Sequence, residues 1–443
     1  MKNFISDNLE NMIADLRELV SYKSVYAEDE KPFGSENRKV LDAALKMMEK
    51  VGLRTKNLDY YCGYGEVGEG DEVIGILSHL DVVPEGDGWD SDPYTLIEKD
   101  GLLYGRGSTD DKGSVIANLY ALKYLIDSGY RFKKRVRLIV GCNEESGSEC
   151  IRHYVEKEGH IDMGYTPDAD FPGIYAEKGM IGGVLVGHKT KIKDIRGGQA
   201  PNIVCNEVEC LIDQSEYDVN KLEDYFRENN IKYLLNGDSL TVYGVAAHAS
   251  MPSMGVNAIS HLFEALYYAD INDEFIDFFH RNFALTYNGE LIGYKDIEDD
   301  ISDATINFGI AFKEGDDIKV TLDMRFPVRS SVKECMRPLE NIKDESNEFV
   351  SYSCVEPLYF DIDSPFIKAL DKAYRDVTGD YESKMEAIGG GTYAKAIHNC
   401  IAFGPEMHGT EYHIHGANEC MSIEELKKQV EIYVEAIKNL NEV

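Results

Sequence analysis

Residues 73–81 read Val-Ile-Gly-Ile-Leu-Ser-His-Leu-Asp, an apolar run that ends in a polar segment carrying a histidine and a carboxylate. A short apolar run bounded by polar turn residues is typical of a buried strand. Residues 113–126 follow with apolar side chains at helical spacing, and residues 135–141 form a second apolar run. This alternation of strand and helix predicts a parallel or mixed α/β sheet.

Both ends of the chain are predicted to be helical. Near the N-terminus, apolar residues recur at helical spacing, namely Leu9, Met12, Ile13, Leu16, Leu19 and Val20. Residues 422–440 form a second helix, because Ser422 and Glu425 match the Ser-x-x-Glu pattern that caps a helix N-terminus.

The middle of the chain has a different pattern. Residues 239–245 and 319–326 alternate as strands do, and residues 257–268 and 273–278 have helical patterns. We therefore predict a separate α+β domain inserted into the first, whose sheet resumes near Pro357. The predicted domain ranges are 1–180 and 357–443 for the first domain and 181–356 for the insert.

The composition limits the classes of partner. The chain has 443 residues, enough for two domains, and its 43% hydrophobic content supports a large core. Its formal net charge is −34. So acidic a surface repels phosphate backbones and anionic headgroups, which argues against nucleic acid and membranes as partners.

Targeting and cysteine patterns predict a cytoplasmic protein. The N-terminal residues carry acids throughout and lack the apolar stretch of a signal peptide, and no apolar run is long enough to cross a bilayer. The nine cysteines are odd in number and contain no Cys-x-x-Cys pair. We expect reduced, buried thiols.

Four segments combine acids or histidine with turn residues, and they follow strands or open a helix. They are Ser78-His79-Leu80-Asp81, the glycine-flanked loop 105–113, Asn143-Glu144-Glu145-Ser146-Gly147 and Thr166-Pro167-Asp168-Ala169-Asp170. In open α/β sheets, ligands bind at the carboxyl ends of the strands, where we expect these loops to meet. So many carboxylates would repel one another without cations, and imidazole with carboxylate suits zinc, manganese or a similar divalent ion.

The motifs SHLDVVPEGDGW, GRGSTDDKG, NEESG, TPDADFP and HGANE, at residues 78–89, 105–113, 143–147, 166–172 and 415–419, carry a resemblance to a known family. The chain resembles the dipeptidase V-like branch of the acetylornithine deacetylase, succinyl-diaminopimelate desuccinylase and carboxypeptidase G family of dinuclear metallopeptidases. The resemblance implies a mixed-sheet, zinc-peptidase-like catalytic domain interrupted by an α+β lid domain, in agreement with the pattern above.

The resemblance also implies a set of metal ligands. His79 and Asp168 would bind one ion, His415 and Glu145 the other, and Asp110 would bridge both. Two divalent ions carry four positive charges, which three carboxylates and one hydroxide balance. Zinc and manganese fit these ligands, and the same donors accommodate cobalt.

Two further acids take catalytic roles in this scheme. Glu144 would act as general base toward a water held between the metals, which gives the attacking hydroxide, and then as general acid toward the leaving amine. Asp81 follows His79 by two residues and resembles the carboxylate that holds the imidazole in one tautomer.

Two of these assignments have competitors nearby in the chain. Asp111 competes with Asp110 for the bridging role, and the family pattern favours the residue three before Gly113. His408 and His413 compete with His415, which is preferred because it matches the His-x-x-Asn-Glu pattern.

The resemblance assigns substrate contacts as well. His248 would stabilise the oxyanion of the tetrahedral intermediate. Arg325 and Asn202 would bind the C-terminal carboxylate of the substrate. Gly390, Gly391 and Thr392 belong to a glycine loop that could form an anion-binding nest for the same carboxylate.

The predicted function is therefore metal-dependent hydrolysis of small unblocked dipeptides, with β-alanyl dipeptides among them. The alternatives are an N-acyl amino acid deacylase or a carboxypeptidase of the same family, and, in another class, a non-catalytic peptide-binding or metal-binding protein. A serine hydrolase is disfavoured because the chain has no Gly-x-Ser-x-Gly elbow. The long insert resembles that of the branch in which one chain supplies the whole active site, so we expect a monomer.

Overall fold

The computed structural model describes residues 1–294 and 303–443. The chain forms two compact units. The first comprises Met1–Tyr175, Phe360–Glu386 and Gly391–Val443, and the second comprises Ala176–Tyr359 and Ala387–Gly390. The first division falls five residues before the predicted boundary and the second falls three residues after it. The sequence did not predict that the short segment Ala387–Gly390 belongs to the second unit. The compact units are not a test of the predicted domain ranges, which remain predictions.

Ten α-helices occur in the described residues. They are α1 (Lys2–Val20), α2 (Ser35–Lys50), α3 (Lys112–Asp127), α4 (Glu149–Glu158), α5 (Val219–Glu228), α6 (Ala258–Tyr268), α7 (Glu274–Asn282), α8 (Val332–Asn341), α9 (Pro365–Thr378) and α10 (Ile423–Leu440). The predicted capping box is present, since the Ser422 hydroxyl accepts from the Glu425 N–H and the Glu425 carboxylate accepts from the Ser422 N–H. None of the described helices is both long enough and apolar enough to span a bilayer.

The strands in the described residues are β1 (Arg54–Leu58), β2 (Cys62–Val67), β3 (Val73–His79), β4 (Ile97–Lys99), β5 (Leu102–Tyr104), β6 (Arg135–Gly141), β7 (Met163–Thr166), β8 (Ala169–Asp170), β9 (Ile174–Glu177), β10 (Gly179–Gly187), β11 (Asp194–Gly197), β12 (Glu207–Leu211), β13 (Lys232–Asn236), β14 (Ser239–Tyr243), β15 (Thr305–Glu314), β16 (Asp317–Phe326), β17 (Asn347–Val355), β18 (Leu358–Tyr359), β19 (Glu386–Ile388), β20 (Cys400–Ala402), β21 (Pro405–Glu406) and β22 (Cys420–Ser422).

The central sheet of the first unit is mixed. Its order includes β1-β2-β6-β3-β7-β20. The neighbours β6, β3, β7 and β20 run parallel, and β1 and β2 are antiparallel to their partners. Every residue of β3 is buried, which explains its uninterrupted apolar sequence. The parallel strands bring their carboxyl ends to one edge, where the polar segments begin.

The second unit contains a separate antiparallel sheet with the order β13-β14-β12-β11-β15-β16-β10-β17. Helices α6 and α7 confirm the two helices predicted in this region, whereas α5 and α8 were missed. Only Leu222, Tyr225 and Phe226 are buried in α5, and only Cys335 and Leu339 in α8. These buried residues nevertheless lie three or four positions apart, and Ser331 and Glu334 form a capping box at the start of α8, so both helices had a sequence signal that the prediction did not use. The two sheets confirm the predicted fold class of an α/β catalytic sheet with an α+β insert.

One expectation about the cysteines was wrong. All nine lie in the described part of the chain and are free, but only eight are buried and Cys354 is exposed. Cys354 lies on β17, at the edge of the second sheet, where most side chains are exposed.

Candidate active site

His79 is the last residue of β3 and is fully buried. Its Nδ1 lies 2.9 Å from the backbone oxygen of Asp81, so this nitrogen carries the proton and donates it. Its Nε2 faces the carboxylates of Asp110, at 2.9 Å, and Asp168, at 3.9 Å. Burial alone would lower the pKa of His79, but these two carboxylates raise it. With Nδ1 held by the backbone, Nε2 is the nitrogen that faces the acids and is free to bind a cation placed among them.

Asp81 supports the site differently from the prediction. Its carboxylate lies 3.7 Å from His79 Nδ1 and instead accepts hydrogen bonds from the backbone N–H groups of Glu144, at 3.0 Å, and Glu145, at 3.1 Å. The backbone oxygen of Asp81 therefore orients the imidazole, and its side chain fixes the loop that carries the two glutamates. Burial raises the pKa of Asp81 to about 6.

Asp110 lies between the two predicted histidines. One carboxylate oxygen is 2.9 Å from His79 Nε2 and the other is 3.0 Å from His415 Nε2. His415 Nε2 is also 3.3 Å from Glu145 Oε1. Hydrogen bonds that His415 donates to the Asp110 and Glu145 carboxylates raise the pKa of His415 to about 10. Asp110 is therefore the carboxylate that contacts both histidines.

The competing residues face elsewhere. The Asp111 carboxylate accepts a hydrogen bond from the backbone N–H of His79, at 3.0 Å, and so supports the end of β3. His413 Nδ1 lies 3.7 Å from a carboxylate oxygen of Glu411, which is outside the group of predicted ligands. Geometry therefore favours Asp110 and His415 over these neighbours.

Glu144 and Asp168 complete the group of acids. Donor atoms of His79, Glu144 and Asp168 lie within 4.8 Å of one another, as do those of His79, Asp110 and Glu145. Proximity alone does not separate Glu144 from a ligand. Among the described residues, however, the Glu144 carboxylate has no hydrogen-bond partner, and burial, with the charge of Asp168, raises its pKa to about 8. A carboxyl group with such a pKa is suited to exchange protons near neutral pH.

The donor set fits two divalent cations. Two imidazole nitrogens and several carboxylate oxygens converge, and these are ligands that zinc and manganese accept. Burial raises the pKa of Asp168 to about 6 and works in the same direction on Glu144. Cations among the carboxylates would reverse this penalty. The acids, His415, Thr109, Gly391 and Thr392 line one cavity of about 240 Å³ within the first unit.

Comparison with known proteins decides the family. The chain matches peptidase family M20/M25/M40 over residues 75–439. The chain belongs to this family. It is 35% identical to a Bacillus subtilis protein named "Putative dipeptidase YtjP" and 34% identical to a Staphylococcus haemolyticus protein named "Putative dipeptidase SH1171", each over 97% of both chains. This M20 chain is therefore a metallopeptidase, a hydrolase acting on peptide bonds.

Two solved dipeptidase structures share the fold. Human carnosine dipeptidase 1 superimposes with a TM-score of 0.59 at 18% identity, over 100% of this chain and 99% of that one. The dipeptidase Dug1p of Saccharomyces cerevisiae gives a TM-score of 0.60 at 13% identity, over 100% and 98%. At such identities the likeness concerns the fold alone.

Within the second unit of this M20 peptidase, His248 has a defined tautomer. Its Nδ1 lies 2.7 Å from the Ser250 hydroxyl and accepts the Ser250 backbone N–H at 3.2 Å. Burial, and then the charge of Arg325, lower the pKa of His248. The imidazole is thus neutral at neutral pH with its proton on Nε2, which makes it a hydrogen-bond donor.

The predicted carboxylate-binding residues are divided between the two units. The Arg325 guanidinium donates to Asp323 through Nε, at 2.6 Å, and through Nη2, at 2.9 Å, while Nη1 points to the backbone oxygen of Gly389. Asn202 lies in the loop between β11 and β12, and its backbone oxygen accepts a hydrogen bond from the Ala249 N–H. Gly390 belongs to the second unit, whereas Gly391 and Thr392 belong to the first.

Sequence reasoning missed two buried residues that hold the bridging loop. The Glu419 carboxylate accepts from the backbone N–H groups of Gly107, Thr109 and Asp110, at 3.0–3.1 Å. It also pairs with the Arg106 guanidinium, at 2.8 Å, with both side chains 1% exposed. Both residues stand in the quoted motifs, but only the fold shows that they meet.

A third missed residue is Glu406. It lines the same cavity as the predicted ligands. Burial, and then the charge of Asp170, raise its pKa to about 7. The sequence offered no signal for it, because Glu406 lies outside every motif quoted above.

Proposed function

We propose that this M20 peptidase is a dipeptidase that hydrolyses the peptide bond of small unblocked dipeptides, β-alanyl dipeptides included. The names of the relatives that match 97% of both chains support the dipeptidase activity. The observation that carries the proposal is the position of Asp110 between His79 and His415, with the unpaired carboxylate of Glu144 in the same cavity.

Five side chains would hold the metals, namely His79, Asp110, Glu145, Asp168 and His415. Two divalent ions, zinc or manganese, would supply an activated water and polarise the peptide carbonyl. Glu144 takes the proton of the attacking water and returns it to the leaving amine. Asp81 fixes the backbone of the Glu144–Glu145 segment, so that both glutamates keep their separate roles.

Residues of the second unit complete the proposal. His248, with its proton on Nε2, donates a hydrogen bond to the carbonyl oxygen as negative charge develops there. Arg325 binds the substrate carboxylate, with Asn202 and the glycine loop as neutral donors. The deacylase and carboxypeptidase alternatives use the same metal site and differ in whether a free amino terminus is required.

The test is hydrolysis by chelator-stripped protein, restored with zinc or manganese, across dipeptides, tripeptides and N-acetylated amino acids. We expect metal-dependent cleavage of free dipeptides and little activity toward the others. Activity confined to N-acetylated amino acids would assign a deacylase instead. Turnover that does not depend on metal would contradict the metal site.

A further inference from the structure

Glu406 stands directly beside a second carboxylate. Strands β21 and β8 are parallel, and Glu406 pairs with Asp170 in their register. Paired residues on neighbouring parallel strands point to the same side of the ladder, so the two carboxyl groups are adjacent. Adjacent like charges on paired strands are unfavourable unless a cation or a proton is shared between them.

The structure supplies neither carboxylate with a positive partner. Among residues 1–294 and 303–443, no Lys, Arg or His lies within ion-pair distance of Glu406 or Asp170, although the charges of His415 and His408 act on them from further away. In the second unit, by contrast, the buried acid Glu264 pairs with His280 at 2.9 Å. The wall of the catalytic cavity therefore presents a pair of acidic groups that no cationic side chain of the described residues contacts.

The roles already assigned do not use this charge. Five carboxylates line the cavity, those of Asp110, Glu144, Glu145, Asp168 and Glu406. Three of them are assigned to the metals and Glu144 to proton transfer. Glu406 is the carboxylate left over, within the space where a substrate must lie.

We propose that Glu406, with Asp170 beside it, binds the positively charged amino terminus of the substrate and so selects unblocked peptides over N-acylated ones. The inference rests on the proposed dipeptidase function and deepens it. A peptide ammonium group supplies one positive charge and three N–H donors to the carboxylate pair. An N-acyl group supplies no charge, so it would leave Glu406 buried without a counter-charge.

The experiment compares alanyl-alanine with propanoyl-alanine, which differ only in the amino group. The Glu406→Gln variant removes the charge and keeps the shape. We expect its kcat/KM for alanyl-alanine to fall about 10- to 100-fold, mainly through KM, as for loss of a hydrogen bond to a charged group. The kcat/KM for propanoyl-alanine should stay within about twofold, or its inhibition constant should do so where turnover is too slow to measure.

Three controls separate this role from others. Glu411→Gln removes a carboxylate that is 84% exposed in the following loop, and it should leave both substrates unaffected. Glu406→Asp keeps the charge and should recover part of the activity. Metal content should equal that of the wild type, and loss of an ion from Glu406→Gln would overturn the inference by making Glu406 a metal-binding residue.

The remaining outcomes are distinct. Equal losses for both substrates, or an unchanged kcat/KM for alanyl-alanine, would overturn the role of Glu406 while leaving the dipeptidase function in place. A wild-type protein that cleaves propanoyl-alanine and not alanyl-alanine would contradict the dipeptidase function itself, and the inference with it.

Discussion

The catalytic cavity of the first unit and the interior of the second unit treat acidic side chains in opposite ways. In the second unit, Glu264 pairs with His280, and Asp273 accepts from two N–H groups of α7 and from the Thr190 hydroxyl. In the first unit, Glu144 and Glu406 line a cavity without such partners among the described residues. The acids of the cavity therefore lack the stabilising partners that Glu264 and Asp273 have in the second unit.

The second unit also shows where its stability comes from. Its core contains a cluster of phenylalanines in which Phe279 packs against Phe263, Phe283 and Phe308, with ring centroids 4.8–5.6 Å apart. Burial of aromatic area is a strong and non-specific source of stability. The comparison indicates that local rules of folding are broken at the site that carries the chemistry and are obeyed elsewhere.

The largest effect should follow from Glu144→Ala. If the first unit keeps this acid unpaired for proton transfer, kcat should fall about 10²- to 10⁴-fold while two metal ions remain bound. Steady-state kinetics together with metal analysis would measure both. Glu149→Ala, at the start of α4, is the matched control and should retain activity, whereas normal turnover by Glu144→Ala would exclude it as the base.

Asp110→Ala should weaken metal binding as well as catalytic turnover. Because Asp110 contacts both histidines, its loss should weaken metal binding by more than the roughly 10- to 100-fold typical of an indirect supporting residue. Titration of the chelator-stripped protein measures this. Asp111→Asn is the control and should retain more affinity, and the reverse order would transfer the bridging role to Asp111.

His248→Ala tests a residue of the second unit. Removing one oxyanion donor lowers kcat about 10²- to 10³-fold in other enzymes, and we expect a loss of that size with metal content unchanged. Ser250→Ala should cause a smaller loss, because the backbone N–H of residue 250 still fixes the tautomer. An unchanged kcat in His248→Ala would show that His248 does not stabilise the negative charge on the carbonyl oxygen.

Phe279→Ala should separate stability from chemistry. A buried phenylalanine replaced by alanine costs about 3–5 kcal/mol of unfolding free energy, which thermal or denaturant unfolding would detect. Metal binding by the first unit should persist at 25 °C. Tyr352→Ala, at a residue that is 58% exposed, is the control and should cost less than about 1 kcal/mol.

The smallest effect should appear in the pH dependence of stability. The folded pKa of Glu144 is raised to about 8 and that of Asp168 to about 6, so the metal-free native protein binds more protons than the unfolded chain between about pH 5 and 8. Its stability should therefore fall as pH rises through this window, by a few degrees in melting temperature. Metal-loaded protein should lack this slope, and metal-free protein that becomes more stable from pH 5 to 8 would contradict the raised pKa values.

Much of the fold and of the candidate site could be predicted because the signals are local. The buried strand β3, helices α3 and α10 and the motif order are set by neighbouring residues, whose periodicity and capping act over a few positions. The resemblance then pointed to five ligands, and the structure brings all five together in the first unit. Helices α5 and α8 were missed although their few buried residues have helical spacing, because each is short and lies among the alternating strands of the second sheet.

By itself, the sequence determined which chemical groups are present and in what order, since motifs and periodicity are properties of short segments. Only the tertiary structure decided which group each one faces. Asp110 and Asp111 are neighbours in the chain, yet one lies between two histidines and the other accepts from the backbone of β3. Glu419 supports Asp110 from 309 residues away, and Glu406 meets Asp170 through pairing of two short strands. The physical reason is that side-chain direction and long-range contact depend on how distant segments pack, which no local pattern records.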